Sequence, residues 1–317
     1  MKIVLPGGSG QVGSVLARAF HAEGHEVVVL SRDPRPAAWR GVAWDAETLG
    51  SWTKELDGAD VVVNLAGRSV NCRYGAENRR QILGSRVQSA RIVGEAIALA
   101  KRAPRVWLQA STATIYAHRF DAANDEATGI LGGHEADAPD TWNFSIEVAK
   151  SWERAVDEAR TPETRKVKMR SAIIMSPDRG GPFDLLTNLV RLGLGGKAGD
   201  GRQFVSWVHD ADFVAAVRWL IDHGDVEGAV NIAAPNPLPN AEFMRALREA
   251  LGVRIGLPAS EWMLEIAAFF MRTETELLLK SRRVVAGILK QRGFEFAFPT
   301  WPEAARDLSR RRQQLND

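Results

Sequence analysis

Residues 2–20 read KIVLPGGSGQVGSVLARAF, and this stretch decides the fold. Lys2 to Leu5 form a short apolar run with the length and content of a strand. Gly7, Gly10 and Gly13 follow at G-x-x-G-x-x-G spacing, and Val12, Val15, Leu16, Ala19 and Phe20 then recur at helical spacing. Strand, glycine turn and helix stand in the order that a dinucleotide site requires. The glycines permit a tight turn and let backbone approach a pyrophosphate, while the helix N-terminus offers free N–H groups and a partial positive charge. Gly7, Gly8, Ser9, Gly10, Gln11, Val12 and Gly13 are therefore candidate cofactor-binding residues.

Working outward, His25 to Asp33 (HEVVVLSRD) read as a second strand. An NAD site places an acid at the end of this strand to hold the ribose hydroxyls. Here Ser31 and Arg32 occupy that corner, and a hydroxyl with a guanidinium suits a 2′-phosphate, so NADP is the expected cofactor. Asp33 keeps NAD open. The run GVAWD ends in Asp45, where an adenine would rest. Ala59 to Gly67 (ADVVVNLAG) is built on an apolar run, as a central parallel strand must be, and its end, Asn64 to Gly67, is small and lets backbone pass close to a nicotinamide ribose, making Leu65, Ala66 and Gly67 candidate cofactor-binding residues. A long helix is expected from about Ala76 to Lys101, then a strand from Arg105 whose exit runs to Tyr116. Helices alternating with strands predict an α/β doubly wound parallel sheet, with ligands at the carboxyl ends of the strands. Gly67, Ser111, Thr112 and Tyr116 fall at that edge.

Six segments, GGSGQVGS, VVNLAGRSVNCRY, QASTATIYAHR, FSIEVAKSWE, GRQFVSWVHDAD and SRRVVAGILKQRGFEFAFPT, are spread over nearly the whole chain. Together they resemble the extended short-chain dehydrogenases/reductases of the NAD-dependent epimerase/dehydratase type, and within them the atypical epimerase-like family that carries a small C-terminal domain. The resemblance implies a Rossmann-type domain over residues 1–165, its sheet completed by strands near 166–176 and 228–234. It implies a smaller C-terminal α/β substrate lobe over residues 177–317, with the family-specific domain from about Ala241. It places Ser176 over the nicotinamide end of the cofactor and Arg86 on the substrate side of the long helix. It also implies a possible homodimer through the helices after the fourth and fifth strands.

In the wider superfamily a Ser or Thr, a Tyr and a Lys cooperate in general acid–base catalysis beside a hydride donor. Thr112 matches the first. In FSIEV, however, Phe144 stands at the tyrosine position and Val148 at the lysine position, and counting back from Lys150 reaches only Ile146. Lys150 reads as a surface residue. The chain has two tyrosines, Tyr74 and Tyr116. Thr112 and Tyr116 are the candidate catalytic pair; packing of Tyr116 is the competing reading. His118, Gln203, Trp207 and His209 join Arg86 as candidate pocket residues, with Trp207 equally suited to packing. Arg68, Arg73, Arg79 and Arg80 bring a basic loop suited to an anionic substrate or simply to solvent.

Composition bounds the rest. The chain has 317 residues, 45% hydrophobic and 25% charged, which is ample for a core. A net charge of +2 gives no argument for nucleic acid, and the single cysteine, Cys72, excludes an internal disulfide framework or a cysteine-cluster metal site. No cysteine cluster accompanies the histidines and no G-x-S-x-G elbow occurs, and no metal is expected. Trp262 to Met271 is the most apolar stretch, too short for a membrane span and read as a buried or partner-facing helix. A cytoplasmic protein without membrane or nucleic-acid partners is expected, acting on an unidentified small molecule. Asp212 is expected to cap a helix, the glycines near Gly195 and Gly196 to form a mobile cover, and GFEFAFPT to form a strand. Two functions remain: an NADP(H)-binding oxidoreductase or epimerase-like enzyme lacking the usual Tyr-x-x-x-Lys pair, or a non-catalytic NADP(H) sensor.

Overall fold

The structure is a computed structural model and describes residues 1–135, 138–260 and 276–315. The strands are β1 (Lys2–Pro6), β2 (Glu26–Ser31), β3 (Arg40–Ala43), β4 (Val61–Asn64), β5 (Val106–Thr112), β6 (Arg165–Ser171), β7 (Ile173–Met175), β8 (Phe204–Val205), β9 (Trp207–His209), β10 (Gly228–Ile232) and β11 (Leu238–Pro239). The helices are α1 (Gln11–Ala22), α2 (Ala76–Leu99), α3 (Asp140–Glu158), α4 (Pro182–Arg191), α5 (Asp210–Asp222), α6 (Asn240–Ala250), α7 (Glu276–Leu279), α8 (Gly287–Gln291) and α9 (Trp301–Gln314).

Seven strands make one sheet in the order β10-β6-β5-β4-β1-β2-β3, and every pairing in it is parallel. Residues of the inner strands alternate between two cores, as the pleat demands. Ile3, Leu5, Val27 and Val29 meet Leu16 and Phe20 of α1 and Phe213 and Leu220 of α5. Val4, Val28, Leu30 and Trp107 meet Val93 and Ile97 of α2 and Trp152 and Val156 of α3. Burial on both faces is why these strands read as unbroken apolar runs. A third core fills the C-terminal lobe, where Trp301 stacks on Phe243 at 4.0 Å and packs against Trp207 at 5.1 Å.

The structure corrects several expectations. The sixth strand begins at Arg165 and breaks at Ala172, after which β7 leaves the main sheet to pair with β9. Residues 293–300 form no strand; Phe294 and Phe296 pack onto the α1–α5 side of the sheet from a loop. Asp212 does not cap α5. His209 does, its Nδ1 accepting the Ala211 N–H, while the Asp212 carboxylate accepts the N–H groups of Ala297 (2.7 Å) and Phe298 (3.0 Å). The segment around Gly195 and Gly196 is laced to residues 257–259 by four backbone hydrogen bonds at 2.8–3.1 Å, which is not how a loose cover is held. Residues 262–271 lie outside the described residues. Among the described residues no helix is long and apolar enough to cross a membrane.

Beneath the carboxyl edge of the sheet runs a buried polar chain. Ser111 Oγ donates to Glu153 Oε1 (2.6 Å), and Arg170 donates through Nε (2.8 Å) and Nη2 (2.7 Å) to the two oxygens of Glu153. Arg170 Nη1 donates to the Tyr116 hydroxyl (3.0 Å), which donates to Asn231 Oδ1 (2.9 Å), and the Asn231 N–H donates to Glu126 (2.8 Å). These groups tie β5, α3, β6 and β10 together. The planar two-point contact between Arg170 and Glu153 is the strong link. Both side chains are buried, at 9% and 7% exposure, so losing either partner leaves an uncompensated charge. Glu153→Ala is expected to lower stability by about 3–5 kcal/mol, and Tyr116→Phe by about 1–2 kcal/mol. Urea unfolding measures both; a Glu153→Ala protein as stable as wild type would remove the chain from the account.

Candidate dinucleotide site

The strand order reverses at β1, which lies between β2 and β4. Such a reversal leaves a crevice outside the carboxyl ends of the strands. Here it is a cavity of about 670 Å³. Gly7, Gly8, Ser9 and Gly10 line it from the first turn, Ser31 and Arg32 from the end of β2, Asp45 from beyond β3, and Leu65, Ala66 and Gly67 from beyond β4. Three of the remaining turn residues build it from behind. A Cβ at Gly13 would stand 2.3 Å from the Gly8 carbonyl oxygen, so glycine there lets α1 seat on the turn. Val12 packs into the core. Gln11 lies against Gly181, with its amide nitrogen buried and without a hydrogen-bond partner among the described residues.

The cavity suits the diphosphate of a dinucleotide. Gly7 takes φ +73°, and a Cβ there would come within 2.5 Å of Ala66 Cα, so the first and fourth strand exits close on each other only with glycine. Gly10 is the N-cap of α1; no side chain caps the helix and no acid lies in its first turn. Its opening N–H groups and positive dipole end thus stay available to an anion.

The corner at the end of β2 carries charge of the sign a phosphate needs. Ser31 Oγ donates to Ser9 Oγ (3.1 Å) and accepts the Asp33 N–H (3.2 Å). Arg32 lines the cavity and has no ion-pair partner among the described residues. Arg35, also on the cavity, pairs with Asp33 at 3.3 Å, which occupies the one acid that would otherwise suit the ribose hydroxyls of NAD. Arg35 was not singled out in the sequence, though its place two residues past Asp33 was a usable signal. The Asp45 carboxylate accepts from the Glu47 N–H (2.9 Å) and the Thr48 N–H (2.9 Å) and hydroxyl (2.5 Å), and the Thr48 contacts above all hold its pKa down to about 2. It fixes a turn on the cavity wall.

The other predicted residues lie elsewhere. Phe144 and Val148 are buried and pack with Tyr74 and Ile82, Tyr74 standing edge-on to Phe144 at 5.3 Å. An apolar cluster therefore fills the positions of the superfamily's phenol and ammonium. Lys150 is half-buried and donates to the Gly132 carbonyl (2.7 Å), so it is a loop anchor and not the surface residue expected. Tyr116, at 2% exposure, is engaged through its hydroxyl in the buried chain, and burial pushes its pKa up. Ser111 is turned to Glu153 in the same chain. Thr112 Oγ accepts the Thr114 N–H (3.2 Å) and keeps its own proton to donate. Ser176 is fully buried and accepts the Asp178 N–H (3.3 Å). Gln203 donates to the Ala198 carbonyl (2.9 Å), Trp207 belongs to the lobe core, and His209 is buried between Asp210 and Asp307. None of these lines the cavity. Of the basic loop, Arg68 reaches the cavity, whereas Arg79 and Arg80 pair with Asp140 and Glu77.

A cluster absent from the sequence reading closes over the exit of β5. It comes from the C-terminal domain. Lys280 Nζ donates to the Thr114 carbonyl (3.0 Å), Arg282 Nε donates to Thr114 Oγ1 (3.2 Å), and Glu276 accepts from Ser145 on α3 and pairs with Arg282 at 3.5 Å. Burial, with the neighbouring charge of Arg282, lowers the Lys280 pKa to about 8. The Ser281 N–H donates to His118 Nδ1 (2.7 Å), so that nitrogen carries no proton, and burial lowers the His118 pKa.

Comparison with known proteins agrees with this architecture. The model of the NAD dependent epimerase/dehydratase family matches residues 3–137, and that of a domain of unknown function, DUF1731, matches residues 259–308. The chain is 31% identical to the epimerase family protein SDR39U1 of Bos taurus over 97% of its own length and 99% of that protein's. It is 27% identical to the epimerase family protein YfhF of Bacillus subtilis over 94% of each chain. The crystal structure of human SDR39U1 (isoform 2) with NADPH superposes with a TM-score of 0.83 at 27% identity, covering 98% of this chain and 99% of that one. On the glycine turn, the seven-stranded sheet and this full-length similarity, the chain belongs to the NAD-dependent epimerase/dehydratase family, in the branch that carries a C-terminal DUF1731 domain.

Proposed function

We propose that this protein binds NADP(H) in the cavity between β1 and β4 and is an oxidoreductase of the epimerase family whose proton step does not use a phenol on α3. The observation that carries the cofactor reading is the corner made by Ser9, Ser31, Arg32 and Arg35, where Asp33 is paired with Arg35. A 2′-phosphate gains charge-assisted hydrogen bonds there. The similar human protein was crystallised with NADPH, which points the same way.

When bound, the dinucleotide supplies or accepts the hydride. The chain's own groups do the rest. The N-terminus of α1 holds the diphosphate, and Gly7 and Gly67 let backbone approach it. The Thr112 hydroxyl accepts the Thr114 N–H and keeps its proton free to orient a substrate oxygen. With Phe144 and Val148 in an apolar cluster, the proton comes from water or from the groups that cover the β5 exit, and a slow turnover is expected: a missing general acid costs roughly 10²–10⁴ in rate. The same cluster favours a second reading, in which the protein senses NADP(H) without turnover.

Titration of tryptophan fluorescence tests the first point. NADPH is expected to bind at least about tenfold more tightly than NADH, and Arg32→Ala to remove most of that preference, since a hydrogen bond to a charged group contributes about 1.5–3 kcal/mol. Equal affinities, or a preference untouched by Arg32→Ala, would contradict it. NADPH oxidation across a panel of aldehydes and ketones separates the two functions. Turnover that falls in Thr112→Val supports the oxidoreductase; tight binding with no turnover of any carbonyl supports the sensor.

A further inference from the structure

Arg86 of α2 is a half-buried cation with no acid beside it among the described residues. Its Nη1 donates to the carbonyls of Arg68 (3.0 Å) and Ile82 (3.0 Å), and its guanidinium carbon lies 5.1 Å from the Trp152 ring. No carboxylate pairs with it among the described residues, and burial lowers its pKa to about 10. A charge drawn partly out of water is favoured by an anion beside it, which makes up for the hydration it has lost. The one acid of the neighbouring cluster, Glu276, is already bonded to Ser145 and shared with Arg282 and Lys280. Among the described residues Nε and Nη2 of Arg86 have no hydrogen-bond partner, in a region where cations outnumber acids.

Its position says which anion would answer it. Arg86 packs against Gly67: a Cβ there would meet its Cζ at 3.2 Å. Gly67 lies three residues past Asn64, and Thr112 three past Gln109, and Asn64 pairs with Gln109 in the sheet. Arg86 therefore adjoins the strand exit next to that of Thr112. It does not line the cavity that holds the α1 N-terminus and the Arg32 corner. Those two features already serve the phosphates of the dinucleotide. On the far side of Gly67, Arg86 acts electrostatically on the Tyr74 hydroxyl, as Arg282 does.

We propose that Arg86 recognises an anionic group on the substrate, a carboxylate or a phosphate ester, and that the oxidoreductase acts on an acid bearing a carbonyl or hydroxyl carbon placed at Thr112. This rests on the dinucleotide reading above. The anion docks on the Arg86 side of Gly67 while the reacting oxygen accepts a hydrogen bond from the Thr112 hydroxyl.

The test uses the full-length protein, first titrated with NADPH alone, then titrated at constant ionic strength with inorganic phosphate, acetate and a small dicarboxylate, with acetamide as the uncharged control. Calorimetry and the fluorescence of Trp152 and its fellow tryptophans report binding, with and without NADPH. Saturable binding of phosphate or of a carboxylate is expected, weakened about tenfold or more in Arg86→Gln. Arg86→Lys should keep part of it, and NADPH affinity should change less than about threefold in either variant. Which anion binds distinguishes a phosphate ester from a carboxylate. The proposal is overturned if wild type binds no anion saturably, a result that needs no variant to fold. It is also overturned if Arg86→Gln binds anions as wild type does, or if that variant instead loses NADPH affinity, which would assign Arg86 to the cofactor's phosphates. Failure of wild type to bind NADPH is visible in the first titration and overturns the dinucleotide reading separately.

Discussion

Everything at the site depends on two close approaches of backbone to backbone. Gly13 allows α1 to rest on the turn at Gly8, and Gly7 allows that turn to rest on Ala66 beyond β4. Neither contact has room for a Cβ. Together they aim the uncapped end of α1 at the gap between β1 and β4, where the strand order reverses. The anion site is therefore not a feature added to the sheet. It follows from how tightly the first helix is set against two strand exits, and the Arg32 corner only gains meaning once that distance is fixed.

The neighbouring strand exit, that of β5, is organised differently. Two polar assemblies meet there. One lies beneath the edge and joins Ser111, Glu153, Arg170, Tyr116 and Asn231, all buried and hydrogen-bonded to each other. The other lies above it and brings Glu276, Lys280 and Arg282 onto Thr114 and Ser145. Between them, Phe144 and Val148 make the apolar contact that stands in place of the superfamily's acid–base pair. The β5 exit thus takes much of its polar lining from the C-terminal domain.

How far this was legible in the sequence depends on the range of each interaction. Runs such as residues 61–63 declared a central strand because burial on both faces favours unbroken apolar sequence. The glycine spacing declared the turn, and the missing tyrosine and lysine declared the altered edge, since each is a local pattern. Long-range partners left no such trace. An acid at a helix start, Asp212, reads as a cap, yet its partners are the backbone of residues 297 and 298. Tyr116 reads as a catalytic phenol or a packing residue at a strand exit, and its hydroxyl is held by Asn231, 115 residues away. The alternating phenylalanines of residues 294–298 imitate a strand because a loop that packs one face on a core has the same period. Lys280 meets Thr114 across 166 residues, and no spacing rule reaches that far.

The central claim is where the dinucleotide lies, and hydrogen–deuterium exchange with and without NADPH tests it most directly. The account predicts slowed exchange in the turn and first helical turn over residues 7–14, in residues 31–37 beyond β2, and in residues 65–68 beyond β4. Slowed exchange confined to the C-terminal lobe, or no change in the α1 N-terminus while NADPH is bound, would contradict it.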